Sequence, residues 1–231
     1  MKTKLTLFVV LIFANCLLGV ELPKGVSKES EDVLVQAFIK AKGDIVAAIN
    51  LTSKHAYPRA RCDSEGRLVE VQLNDLKGFG NEGMILLTQV PTIKRLFVAA
   101  TSINDEGLEL MTKLQDLTYI HISLNAVTDN GLKSMPKLPR LRTIYMYGCN
   151  KVTDEGMRHL SLCPELGHIK MNGCRNITGK GLQHLTNLAN PGSLEVWGNK
   201  ITKQDAQAFL SKKPKAKIFL RDDGWEKPKA E

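Results

Sequence analysis

Aromatic residues are scarce in this chain: seven phenylalanines, four tyrosines and two tryptophans among 231 residues. That shortage excludes a core built around large rings, so leucine, isoleucine and valine must supply it in small aliphatic pieces. Cysteine is sparse too, five residues with no CxxC pair, which argues against a paired-thiol metal or redox motif. The apolar stretch at residues 5–14 is shorter than the roughly 20 residues a membrane-spanning helix needs, so no stable membrane span is expected. GxSxG, HExxH and a phosphate loop are all missing, and with them the usual signs of nucleophilic, zinc-dependent or nucleotide chemistry. The chain reads as non-enzymatic, with no catalytic residue, no metal ligand, no cofactor and no nucleic-acid partner.

What the N-terminus does contain is ordered. Lys2 and Lys4 precede the apolar stretch, and small and mixed residues follow it to Gly19 and Val20. A basic start, a short apolar middle and a neutral end make the pattern of a secretory signal. Residues 1–20 are therefore expected to direct export, to a periplasm or to the outside of a cell. Cys16 is not expected to carry a lipid, because Phe13-Ala14-Asn15 lack the small residue found just before a lipidated cysteine. Without residues 1–20 the formal charge falls from +8 to +6, since two lysines and no acid leave. A mildly basic exported protein favours anionic partners such as acidic glycans or phospholipid headgroups, although solubility alone also accounts for the charge. Basic residues gather at Lys212, Lys213, Lys215 and Lys217.

The dominant feature is internal repetition. Six phrases stack, opening at Leu68, Ile93, Leu117, Leu141, Leu166 and Pro191, with offsets of 25, 24, 24, 25 and 25 residues. Each carries apolar residues at its first, fourth and sixth places, as in Leu117, Ile120 and Ile122. That alternation turns one side of a short strand into the core. The ninth place holds Thr101, Asn125, Cys149, Cys174 and Asn199 in successive phrases. Such side chains turn inward and satisfy backbone groups where the chain leaves the strand. An isoleucine or valine follows, then often Thr-Asp, which offers side-chain oxygen to the free N–H groups of a helix start. Next comes a glycine-apolar pair such as Gly131-Leu132, and then apolar residues at helical spacing. One such unit cannot bury its own edge, so several must stack and both ends need lids.

The phrase LRTIYMYGCNKVTDEGMRHLSLCP, residues 141–164, with LGHIKMNGCRNITGKGLQHL behind it, resembles the cysteine-containing leucine-rich repeats. Such repeats occur in F-box-type receptors and in small exported bacterial proteins. The resemblance covers residues 68–221. It implies a right-handed α/β horseshoe segment, a solenoid with a parallel sheet on the concave face and helices on the convex face, and protein binding as its usual use. The first phrase departs from the pattern with Leu76 at the ninth place and Gly80-Asn81 for Thr-Asp. The sixth departs with Lys203 and Asp205 in place of the acid and the glycine. A last strand, Ile218-Phe219-Leu220, is expected to close the stack before a polar tail at 222–231.

Residues 21–67 do not repeat. Helix-start chemistry at residues 27–32 precedes Val33, Leu34, Ala37 and Phe38 on one helical face. Residues 63–66 look like a turn joining a strand around residues 59–62 to the one at Leu68. This segment is expected to be a cap, being too short to build more than a marginal core alone; it shows no convincing F-box.

Third, fifth and seventh places of each strand face away from the core. Read out, they gather Phe97, Tyr119, Tyr145, Tyr147, Trp197 and Phe219, with His121, His168 and Lys170 beside them. Strands about 4.8 Å apart would spread these over a surface roughly 30 Å long. Tyr, Trp and basic residues are typical of binding hot spots, although cross-strand packing alone also favours aromatics. A protein partner is the first expectation, with polysaccharide or an anionic surface polymer as the alternative.

Other features rank lower. Cys149 and Cys174 are expected as buried ladder thiols whose parallel side chains suit no disulfide, Cys163 as packed inside, and Cys62 as the most exposed. His159 and His184 hold equivalent helical places and are expected to be solvated. Asn50 and Asn176 open glycosylation triplets that matter only in a eukaryotic host.

Overall fold

The computed structural model describes residues 21–27, 29–41, 43–52 and 59–220. The expected export signal with Cys16, the tail at 222–231 and Arg221 lie outside them. Two short helices, α1 (Val33–Lys40) and α2 (Ile45–Leu51), lead into a hairpin of β1 (Ala60–Cys62) and β2 (Leu68–Gln72). Helix and strand then alternate: α3 (Asn81–Leu87), β3 (Arg95–Phe97), α4 (Asp105–Met111), β4 (Tyr119–His121), α5 (Asp129–Leu132), β5 (Thr143–Tyr145), α6 (Asp154–Leu160), β6 (His168–Lys170), α7 (Gly179–His184), β7 (Ser193–Glu195), α8 (Lys203–Lys212) and β8 (Lys217–Phe219). Short 3₁₀ turns follow α5 and α7.

All eight strands form one sheet in chain order, β1 antiparallel to β2 and the rest parallel. The register aligns the phrases rung for rung: Gln72, Phe97, His121, Tyr145, Lys170, Glu195 and Phe219 stand side by side. Fourth-place residues Val71, Leu96, Ile120, Ile144, Ile169 and Leu194 are fully buried. Ile218 in β8 is only partly buried, since among the described residues no rung lies beyond it. Strands stack at about 4.8 Å and packed helices need 8–10 Å. Joined rung by rung, the two layers must curve with the sheet inside.

The Thr-Asp signal has two functions, of which the sequence shows one. Each threonine caps its own helix: the hydroxyls of Thr128, Thr153 and Thr178 accept from Asn130 N, Glu155 N and Lys180 N. The aspartate instead reaches forward to the next repeat. Thr128 donates its N–H and hydroxyl to Asp105 at 2.7 and 2.6 Å, Thr153 to Asp129 at 2.8 and 2.7 Å, and Thr178 to Asp154 at 2.7 Å each. Hydrogen bonds to a charged acceptor contribute about 1.5–3 kcal/mol each, so this clasp fastens repeat to repeat. It also accounts for the glycine two residues after the aspartate place. A Cβ at Gly131, Gly156 or Gly181 would stand 2.5 Å from the clasping carboxylate of the preceding repeat.

Both irregular ends supply the clasp by other means. In the first repeat, Gly80 offers no side-chain cap to α3. Asp32, at the N-cap of α1, fills the empty place and accepts from Leu34 N, Gly80 N and Gly83 N at 2.9, 2.6 and 3.1 Å. Burial outweighs those donors and raises the Asp32 carboxyl above its usual range. In the sixth repeat Asp205 stands at the glycine place, and the preceding repeat has Gly179 at the aspartate place. Asp205 accepts from Thr202 N and Thr202 Oγ1 at 2.9 and 2.7 Å, the same donor pair met from the other side. Its carboxylate fills the space where Gly179 lacks a Cβ.

The ninth-place ladder is uneven. Asn125 Nδ2 donates to Val98 O at 2.7 Å while its Oδ1 accepts from Thr101 N at 3.0 Å. Cys149 and Cys174 thiols face Ile122 O and Met146 O at 3.5 and 2.9 Å. Burial pushes them up to about 11 and about 12, so they remain neutral core groups. Asn199 departs from the expectation, because neither of its buried amide atoms has a partner. Cys174 N, the donor one rung earlier that would meet its Oδ1, bonds Met171 O at 3.3 Å instead.

Candidate ligand-binding face

The third and fifth strand places assemble a connected group. Phe97 and Tyr119 lie with ring centroids 4.7 Å apart, Tyr119 and Tyr145 at 5.0 Å, and His121 meets Tyr145 edge-on at 5.6 Å. Arg95 sits over both Phe97 and Tyr119, 5.3 and 5.0 Å from their centroids, and Lys170 lies 4.5 Å from that of Tyr145. Each end of this row is tied down. Buried Glu70 pairs with Arg95 at 3.4 Å and Arg61 at 3.6 Å, and Lys170 pairs with Glu195 at 2.8 Å. Asn172 in turn donates to Glu195 at 3.0 Å. The rings are half-buried and held on both sides, so a ligand meets them already ordered, and little side-chain entropy remains to be lost.

The electrostatics follow from this packing. Burial, reinforced by the phenol of Tyr145, raises Tyr119, which stays a neutral hydroxyl. The carboxylate of Glu195 raises Lys170, which stays charged. Burial and the nearby Lys170 charge lower His121, with Asp75 opposing them. The face therefore presents neutral rings and a neutral imidazole between two fixed cations, Arg95 and Lys170.

The remaining expected residues do not join this group. Tyr147 and Trp197, at the seventh place, form a separate pair 5.7 Å apart. His168 is exposed and its Nδ1 lies 2.8 Å from Ser193 Oγ. Phe219 stands 54% exposed on the last strand with no ring contact among the described residues. Seventh places are not uniformly solvent-facing either: Ala99, Ser123 and Asn172 are buried. Asn74, Ser123 and Asn172 accept from the N–H groups of Ala99, Tyr147 and Trp197 one rung on, at 2.8, 2.8 and 3.2 Å. They extend the ladder past the strand ends.

One residue on this side escapes side-chain patterning. Leu124, at the eighth place, is 55% exposed and holds φ +57°. Its neighbours in the same column, Gly148, Gly173 and Gly198, take φ +68°, +68° and +70°, the left-handed region that glycine enters freely. The whole column is left-handed, with Asp75 at φ +58° and Ala100 at φ +53° ahead of Leu124, so its glycines mark only the later half.

The helix side offers less. His159, expected in solvent, is instead buried in α6 with its Nε2 3.3 Å from Glu155 Oε1. It lies one helical turn from that acid and packs under its own helix. Cys163 is buried, its thiol pushed up to about 12 by burial, and Cys62 on β1 is exposed. No group of three or more potential metal-ligating residues occurs among the described residues, and none of their helices is long and apolar enough to cross a membrane.

A leucine-rich-repeat family pattern matches residues 113–135, from just past α4 through β4 and α5. With strands in parallel register and a helix returning each rung, the architecture is settled. The fold is a leucine-rich-repeat solenoid. Among solved structures, the chain is similar to internalin C2 of Listeria monocytogenes, at 14% identity and a TM-score of 0.46, over 70% of this chain and 81% of that one. It is also similar to a leucine-rich-repeat protein of Leptospira interrogans, at 15% identity and a TM-score of 0.42, over 58% of this chain and 39% of that one. No curated protein matches the sequence significantly. Leucine-rich-repeat domains are typically protein-binding modules and generally non-catalytic, and no catalytic family matches this one.

Proposed function

We propose that this protein is a non-catalytic, exported binding module that recognises a protein partner with the concave sheet face. The observation that carries the reading is the row Arg95, Phe97, Tyr119, His121, Tyr145 and Lys170. Its rings run across three consecutive strands, in contact with one another and fixed at both ends by ion pairs. Aromatic and basic side chains held in place make the centre of a protein interface. On the reading of residues 1–20 as an export signal, the partner is met outside the cytoplasm.

The test is capture of a partner from envelope and secreted fractions by the wild-type protein and by Phe97→Ala/Tyr145→Ala. The expected result is a defined protein retained by the wild type and weakened at least tenfold in the variant, with circular dichroism unchanged; ring truncations at a hot spot cost about 2 kcal/mol or more each. Equal capture by both proteins would overturn the reading.

A further inference from the structure

Charge is segregated along the solenoid. Residues 21–139 hold fourteen lysines and arginines against fifteen acids, whereas residues 140–220 hold thirteen against five. Several of the latter cations are occupied: Arg140, Arg142, Arg158 and Lys170 pair with Asp116, Glu165, Glu155 and Glu195. Lys151, Arg175, Lys180 and Lys200 are not. All four are exposed and have no ion-pair partner among the described residues. Lys151, Arg175 and Lys200 share a location, the rim where the chain turns out of β5, β6 and β7 and runs toward the next helix, while Lys180 lies in the first turn of α7.

The same rim carries the second ring pair. Tyr147 is 43% exposed and lies beside Trp197. Its ring passes over Gly173, within 3.2 Å of where a Cβ would stand, and Leu124 lies over Gly148 in the same way. Gly148 and Gly173, at positive φ, thus leave the eighth place bare, as a floor on which Leu124 and Tyr147 lie. An exposed ring and a half-buried one, beside a row of unpaired cations, define a surface with both halves of a ligand's chemistry.

We infer that this rim, built from Tyr147, Trp197, Lys151, Arg175 and Lys200, binds a carboxylated polysaccharide. The flat C–H face of a sugar ring stacks on an aromatic side chain, and its carboxylate meets a cation. The cations Lys151, Arg175 and Lys200 recur along the rim with the rungs, about 4.8 Å apart, and the two rings stand two rungs apart. Same-side groups of an extended acidic peptide recur at about 6.6 Å and fall out of step within two rungs. A sugar chain offers a ring and a charge per unit, so it fits the rim better than a peptide does. This surface is distinct from the Phe97–Tyr145 row, and the inference stands independently of the protein-binding reading.

The experiment measures retention of the full chain on immobilised polygalacturonate, neutral dextran and poly-glutamate at increasing salt. The expected result is selective retention on polygalacturonate that weakens with salt. Tyr147→Ala/Trp197→Ala and Lys151→Gln/Arg175→Gln/Lys200→Gln should each weaken it about tenfold or more, in keeping with hot-spot truncations, with unchanged melting curves. Tyr147→Phe/Trp197→Phe, which keeps the ring faces, should bind as wild type, and so should Phe97→Ala/Tyr145→Ala. Absence of retention, preference for poly-glutamate, or loss in the lysine and arginine variant alone would each overturn the inference. Loss in that variant alone would identify unspecific attraction, and the peptide preference an acidic protein ligand.

Discussion

Leu124 combines a left-handed backbone with a largely exposed apolar side chain. A leucine at φ +57° gives up roughly 1–2 kcal/mol to backbone sterics, and more than half of its surface meets solvent. Leu124→Gly should therefore stabilise the protein by about 1 kcal/mol in a urea titration; a lowered midpoint would show that its contact across Gly148 outweighs the strain. His121 yields the second prediction at this scale. Burial and Lys170 hold it below the ordinary histidine value, so the folded protein favours the neutral ring. The stability it contributes is full above pH 6.5, the unfolded value, and is lost as pH falls through the lower folded value. On acidification to pH 5, melting of the wild type should fall further than melting of His121→Gln. A gap between the two that stays constant with pH would contradict this.

Within the repeats, the Asp–Thr clasp explains why aspartate and glycine places are linked. Gly179 and Asp205 make a swapped pair: the acid sits on the helix it caps, and the glycine sits where the acid would otherwise be. Asp205→Gly alone removes the acceptor for two Thr202 donors, and Gly179→Asp alone places a second carboxylate against the first. Each single change should cost about 1–3 kcal/mol. The double variant restores the ordinary arrangement and should recover most of that loss in a double-mutant cycle. Additive losses would show that the two positions do not share one clasp.

The strand half of each repeat and the threonine cap of its helix were open to sequence reading, and the aspartate's role was not. Alternation at the first, fourth and sixth places predicted the buried column, because a strand's side-chain period ties pattern to face, and the resemblance to leucine-rich repeats implied the parallel sheet. The aspartate's reach was hidden because spacing within a phrase reports on its own helix, whereas the carboxylate serves the next one. Asp32 was hidden for a related reason: its partners Gly80 and Gly83 lie 48 and 51 residues away. Helix α2 left a local signal that was not used, Asp44 accepting from Val46 N and Ala47 N ahead of an apolar run. The ring residues were placed on the correct side of their strands. Their division into the Phe97–Tyr145 row and the Tyr147–Trp197 pair depends on side-chain direction across neighbouring rungs, which no single phrase records.

For the whole molecule, a solenoid joins neighbours to neighbours, so its stability is spread along the stack and its sheet face is free of structural duties beyond cross-strand contact. The central claim is that the row running from Arg95 to Lys170 meets a protein. Its most direct test is a photo-crosslinking amino acid placed at Tyr145, compared with one at exposed Lys133 on the helix side, in cells that make the protein. The account predicts a specific protein adduct from position 145 and none from position 133. Adducts from position 133 alone, or the same adducts from both, would contradict it.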